Sequence, residues 1–198
     1  MSLHSKFVEC MNAPYYHVEN DGSYYFKRDG GTLKIFFEWS NGETDWRNNF
    51  DFPAKPYRDM SDKWYCHRGF LKVWKSIEPY LKDAILDESV KRIETVGYSH
   101  GAAIAFLCHE YCAFNRPDVE LEGVGFGSPR VVWGYASENA KKRFEGFLVV
   151  RNGKDLVTHV PPAIFGFRHV NTVKEIGEHK GYIKDHFPDN YYLALENL

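Results

Sequence analysis

The stretch from Arg92 to Arg116 constrains this 198-residue chain more than any other: a strand-like run, Arg92 to Val96, then Gly97-Tyr98-Ser99-His100-Gly101, then a helical run, Gly101 to Arg116. That helix is apolar on nearly every face and stops before Pro117, so it belongs against a sheet rather than at the surface. Apolar, β-branched or aromatic runs at Ser23 to Lys27, Thr32 to Phe37, Leu121 to Phe126, Phe147 to Val150 and Phe167 to Ile176 read as further strands. From Phe70 to Ile85 apolar residues recur at helical spacing, with Pro79 as a kink or restart. Ser137 to Phe144 and Tyr191 to Leu198 add shorter helices. Strands alternating with helices predict an α/β architecture with a mostly parallel central sheet flanked by helices. Sites in such folds gather at the carboxyl ends of the strands.

No Gly/Ser-rich or Pro-rich linker interrupts the chain, so residues 1–198 read as one domain, long enough to bury a core without disulfides or a structural metal. The 25 Lys and Arg against 27 Asp and Glu give a net charge of −2, which argues against a nucleic-acid partner. Cys10, Cys66, Cys108 and Cys112 form no disulfide ladder and read as reduced. No apolar run is long enough to span a membrane, and MSLHSKFVEC lacks the apolar stretch of a secretory leader. The default expectation is therefore the cytoplasm, with secretion as the alternative if a leader has been removed.

The pentapeptide at Gly97 to Gly101 fits G-x-S-x-G in the context that gives the pattern meaning, after a strand and opening a helix. A sharp strand-to-helix turn exposes the hydroxyl of Ser99, and the positions two before and two after it must be small. A serine hydroxyl becomes nucleophilic when a histidine takes its proton and an acid orients that histidine. The acid is expected after a later strand, where Asp155 follows Phe147 to Val150, although a solvated turn aspartate fits that position equally. Downstream histidines are His159, His169, His179 and His186. His159 stands too close to the acid and His169 reads as a packed sheet residue, which leaves His179 and His186 even.

Several segments together resemble the class 3 lipase family of α/β-hydrolases. They are Phe37-Glu38-Trp39-Ser40 with Asp45-Trp46, His67-Arg68-Gly69-Phe70-Leu71, Phe126-Gly127-Ser128-Pro129-Arg130-Val131, and the register of Asn152, Asp155, Val157, Pro161 and Pro162. The resemblance covers roughly residues 30 to 192. It implies a compact α/β-hydrolase fold and a serine carboxylic ester hydrolase with Ser99 as nucleophile, Asp155 as acid and an acyl-enzyme intermediate. It favours His186 over His179, because Asp185-His186 with Tyr191 nearby is similar to the family's pattern. It also implies an oxyanion hole from the backbone N–H of His100 and from Ser40, and no metal or organic cofactor.

Two positions depart from the pattern: Glu38-Trp39 replaces the usual Arg-Gly, so Trp39 is expected to narrow the pocket or shift the hole, and His100 replaces an apolar residue. The segment corresponding to a lid, Asn41 to Phe50, is mostly polar, which favours soluble or monomeric esters over emulsified triglyceride and leaves only transient lipid-surface contact. Three rival readings are an acyltransferase with the same triad, a catalytically silent ligand-binding scaffold, and a metal hydrolase built on Cys108, His109 and Cys112.

Overall fold

The computed structural model describes residues 1–20, 22–39, 54–57 and 64–198. Helix α1 (Leu3–Met11) precedes β1 (Tyr16–Val18), β2 (Gly22–Asp29), β3 (Thr32–Phe37), β4 (Ala54–Tyr57), β5 (Trp64–His67) and helix α2 (Arg68–Leu86). Next come β6 (Arg92–Tyr98), α3 (His100–Asn115), β7 (Glu120–Phe126), β8 (Val132–Trp133), α4 (Glu138–Phe144) and β9 (Phe147–Asn152). Two short 3-10 turns then lead to β10 (Phe167–Arg168), β11 (Val173–Ile176) and α5 (Pro188–Glu196).

Seven strands pair in the order β1-β2-β3-β6-β7-β9-β11, antiparallel from β1 to β3 and parallel from β3 onward. Alternation along the strands divides the core between the two faces of this sheet. Leu33, Ile35 and Phe37 of β3, Ile93 of β6 and Phe147 and Val149 of β9 pack with α2 and α3. Phe36, Val96, Tyr98, Val124, Phe126 and Val150 turn to the opposite face, where Phe7 and Cys10 of α1 and Tyr191 and Leu195 of α5 cover them. Cover on both faces explains why Phe147 to Val150 of β9 forms an unbroken apolar run.

α2 runs through Pro79 without interruption and buries Phe70, Leu71, Val73, Trp74, Ile77, Leu81 and Ile85. Its first turn is capped by His67, whose Nδ1 accepts from the N–H groups of Gly69 and Phe70 at 3.1 and 3.4 Å. The last turn of α2 and the chain just beyond it are held by Arg116, which donates to the carbonyls of Ile85, Asp87 and Val90 at 2.7, 2.9 and 2.9 Å. α3 is buried continuously from Gly101 to Cys112 between sheet and α2, as its sequence requires.

The structure corrects the sequence reading at one strand. The expected run from Phe167 to Ile176 is divided, because β10 joins a second, antiparallel sheet, β10-β8-β5-β4, whereas β11 joins the main one. Polar side chains turn the chain between them. His169 Nε2 bonds the Thr158 carbonyl at 2.8 Å, and Asn171 Nδ2 donates to the Phe144 carbonyl at 2.8 Å. His169 therefore lies in the irregular segment between β10 and β11 and not in a strand.

Burial pushes the imidazoles of both His109 and His169 down, from 6.5 to about 4, although each keeps a bond to a backbone carbonyl. Below pH 6.5 the unfolded chain takes up protons that the folded protein refuses until about pH 4, so stability falls as pH falls through that window. Each residue is expected to cost roughly 3 kcal/mol by the lower end. Urea unfolding between pH 7 and 4 checks this. The His169→Gln variant, which can still donate to Thr158, should show about half the decline. A transition midpoint that holds steady across the window would refute it.

Candidate active site

β6 and α3 are joined by one residue, Ser99, with φ 55° and ψ −123°. Such a conformation is strained for any residue with a Cβ and turns the side chain out at the strand end. Two glycines make the turn feasible. A Cβ on Gly97 would lie 2.2 Å from the Gly101 carbonyl oxygen, and one on Gly101 would lie 2.2 Å from the Phe37 carbonyl oxygen of β3. The helix can start against the sheet because neither residue has a side chain.

Ser99 Oγ lies 2.9 Å from His186 Nε2, and His186 Nδ1 lies 2.8 Å from Asp155 Oδ2. All three are buried: Ser99 is 6% exposed, His186 5% and Asp155 0%. Asp155 follows the end of β9 and caps the 3-10 turn Leu156–His159, its Oδ1 accepting from the Val157 N–H at 2.8 Å. His186 closes the 3-10 turn Lys184–His186 just before α5. A carboxylate that accepts from Nδ1–H leaves the Nε2 lone pair facing the serine hydroxyl, the tautomer in which the imidazole can take a proton.

Two tyrosines complete this arrangement, and nothing in the pentapeptide or the helix pattern announces their roles. Tyr191 of α5 donates to Asp155 Oδ2 at 2.7 Å. Tyr98, the residue before Ser99, donates to the His186 carbonyl and stacks on the imidazole at 5.1 Å and 18°. Burial raises both phenols well above their ordinary range, with the nearby Asp155 charge adding to it, so both remain donors. Gly127, at the end of β7 with φ +59°, gives the pair its space: a Cβ there would lie 2.9 Å from His186 Cε1 and 3.0 Å from Asp155 Oδ2.

The remaining downstream histidines are engaged elsewhere. His179 Nδ1 is 2.6 Å from Asp185 Oδ2. Arg130 reaches the His159 and Pro161 carbonyls at 2.7 and 3.1 Å, while its own N–H donates to the Val160 carbonyl at 2.7 Å. This clasp joins the Phe126 to Val131 segment to the Pro161-Pro162 segment and braces the loop that carries Asp155. His100 opens α3, with its ring edge-on to Phe70 at 5.5 Å. Ser40 lies outside the described residues, as does the Asn41 to Phe50 segment. Trp39 is half-buried and leans edge-on against Tyr98 at 6.2 Å, within the aromatic layer beside His186.

Cys108 and Cys112 are buried one helical turn apart, whereas His109 Nε2 turns to the Arg143 carbonyl at 3.2 Å. Among the described residues no three His, Cys, Asp or Glu side chains converge to hold a metal ion, and no helix is long and apolar enough to cross a membrane.

A model of the class 3 lipase family matches residues 35–165. This chain belongs to the class 3 lipase family. It is 27% identical over 132 residues to secreted mono- and diacylglycerol lipase 1 of Fusarium solani, covering 64% of this chain and 38% of that protein. It is 25% identical over 182 residues to a lipase of Rhizomucor miehei, covering 84% of this chain and 46% of that protein. The chain thus spans less than half the length of these curated relatives. Among solved structures, the Rhizomucor miehei triacylglyceride lipase matches with a TM-score of 0.70 at 24% identity, covering 82% of this chain and 64% of that one. A fungal lipase–inhibitor complex matches with a TM-score of 0.64 at 20% identity, covering 88% and 74%. The fold is that of the α/β-hydrolases, with the mostly parallel sheet and flanking helices expected from the sequence.

Proposed function

We propose that this class 3 lipase family member hydrolyses carboxylic esters of lipids through a Ser99–His186–Asp155 triad. The observation that carries the reading is the unbroken run of contacts from Ser99 Oγ, beyond the end of β6, through the His186 ring to Asp155, beyond the end of the parallel strand β9. Ser99 Oγ attacks the ester carbonyl while His186 Nε2 takes its proton, and a tetrahedral intermediate forms. The His100 N–H at the start of α3 and Ser40 stabilise its oxyanion. His186 returns the proton to the departing alcohol, leaving an acyl-serine. Water, deprotonated by His186, then attacks the acyl carbon, and Ser99 recovers its proton as the acid leaves.

Relatives named as mono- and diacylglycerol lipases make acylglycerols the first esters to test. The same names include the word secreted, which accords with the secreted alternative and lends the cytoplasmic expectation no support. A fluorophosphonate probe needs no knowledge of the substrate. It is expected to label wild type at Ser99, as located by mass spectrometry, and to leave the Ser99→Ala and His186→Ala variants unlabelled. Released fatty acid, measured on acylglycerols with and without an added acceptor alcohol, separates hydrolysis from acyl transfer. A folded wild type that takes no label would overturn the triad and favour a silent scaffold.

A further inference from the structure

Asp185 stands next to His186 in the chain, yet its carboxylate serves other partners. Its side chain is fully buried. Oδ1 accepts from the Lys180 N–H at 2.7 Å, and Oδ2 accepts from the Lys154 N–H at 2.8 Å and from His179 Nδ1 at 2.6 Å. The Asp185 carbonyl accepts from Asn152 Nδ2 at 2.9 Å, and its N–H donates to the Gly181 carbonyl at 2.7 Å. Gly153, with φ +49°, lets the chains approach, since a Cβ there would lie 2.7 Å from Asp185 Oδ2. One carboxylate therefore ties the strand end that supplies Asp155 to the loop that supplies His186.

Burying a charged carboxylate to close a loop is costly unless its lone pairs are met by well-placed donors. Burial pushes the Asp185 carboxyl up, but the bonds from His179 and the Lys154 and Lys180 N–H groups outweigh it and hold the group below the ordinary carboxylate range. The arrangement is a second acid–imidazole pair interleaved with the first. Lys154 precedes Asp155 as Asp185 precedes His186, so the bond between Lys154 and Asp185 runs one residue away from the bond between Asp155 and His186.

We propose that the His179–Asp185 pair is a positioning element for the base and its acid: it sets the separation of the loops carrying Asp155 and His186, and with it the hydrogen bond between them. This rests on the reading of Ser99, His186 and Asp155 as the reacting residues. Asp185 acts through the Lys154 backbone and through its own peptide link to His186. His179, whose side chain is 36% exposed, closes the carboxylate from the solvent side. A displacement of about 1 Å between reacting groups is worth about 100-fold in rate, so a small relaxation of these loops is measurable in turnover.

The test measures kcat and KM for para-nitrophenyl butyrate with the whole chain, counting competent sites by complete fluorophosphonate labelling so that kcat refers only to folded, reactive molecules. His179→Ala is expected to lower kcat per labelled site about tenfold and Asp185→Asn about 100-fold, each with KM within about twofold of wild type. His179→Asn places an amide N–H where Nδ1 stood and is expected to recover most of the loss. Should Asp185→Asn fail to fold, the comparison of His179→Ala with His179→Asn carries the test. Wild-type kcat per labelled site in His179→Ala overturns the proposal even if the thermal midpoint drops, because the pair is then only a loop staple. A raised KM with unchanged kcat overturns it too. A wild type that does not label at Ser99 sinks the triad and this proposal together, whereas labelled wild type with fully active variants sinks this proposal alone.

Discussion

Replacing Ser99 by alanine is expected to lower kcat for ester hydrolysis by about a million-fold, with His186→Ala costing a similar amount and the double variant no more than either. The non-additivity is the informative part. If Ser99 Oγ and His186 Nε2 act as one unit across their 2.9 Å contact, removing either leaves the other with no partner to act on. A double variant much slower than both singles would mean that His186 assists another nucleophile, such as water, and would break the assignment. The fold should not suffer, because alanine keeps the Cβ that meets the backbone at φ 55° and loses only Oγ. Ser99→Gly separates reactivity from strain. It should be equally inactive, yet more stable than Ser99→Ala by about 1 kcal/mol, because relief of a strained positive-φ residue exceeds the entropic cost of glycine. Calorimetry on the two inactive variants reads that difference directly, and a less stable Ser99→Gly would show the elbow to be unstrained.

What could be read from the sequence follows from how local each signal is. β9 was legible because burial on both faces makes Phe147 to Val150 a continuous apolar run, β3, β6 and β7 through the apolar and β-branched residues they bury, and α3 because nearly every face of it is buried. α1 was not. Only Phe7 and Cys10 of its apolar residues are buried, and its third buried residue is Lys6, accommodated by Glu94 at 3.4 Å and Glu122 at 2.5 Å. A lysine on a buried face hides the helical period, and its partners lie on strands far along the chain. β4, β5 and β8 escaped for a different reason: they are two to four residues long and exist only through antiparallel pairing with one another and β10.

Within the site, the glycines of the elbow could be foreseen because the turn itself excludes a Cβ. Residue order could not choose the histidine, because it says nothing about how a loop returns over a sheet; only the resemblance around Asp185-His186 favoured His186. His179 and His186, even in the sequence, each face a carboxylate in the structure, Asp185 and Asp155. Tyr191 entered the sequence reading only as an aromatic near His186, and the hydrogen bonds made by the Tyr98 and Tyr191 hydroxyls carried no local signal, since their partners lie 88 and 36 residues away.

Asp155→Asn tests the acid with almost no change in shape, and the hydrogen bonds around the carboxylate decide its outcome. Oδ1 accepts from the Val157 N–H, and Oδ2 accepts from both His186 Nδ1 and Tyr191 Oη. An amide offers one acceptor where the carboxylate offered two, so one side must meet a donor with a donor. The Val157 N–H is fixed in the backbone and cannot adapt. Tyr191 can: its hydroxyl also lies 3.4 Å from the Val150 carbonyl and can donate there while accepting from the new amide. His186 can adapt as well, by moving its proton from Nδ1 to Nε2. The amide nitrogen is therefore expected to face His186 and Tyr191. That leaves Nε2 protonated toward Ser99, where it can donate to the hydroxyl but cannot accept its proton. The expected loss is about 10,000-fold in kcat, the effect of the wrong tautomer, with KM and thermal midpoint nearly unchanged. Tyr191→Phe removes one donor to Asp155 and leaves the tautomer intact, so it should cost only about tenfold. Measuring both on the same para-nitrophenyl ester fixes the order of effects. An Asp155→Asn variant within tenfold of wild type would show that His186 is oriented by its stacking on Tyr98 and its loop, and not by the carboxylate.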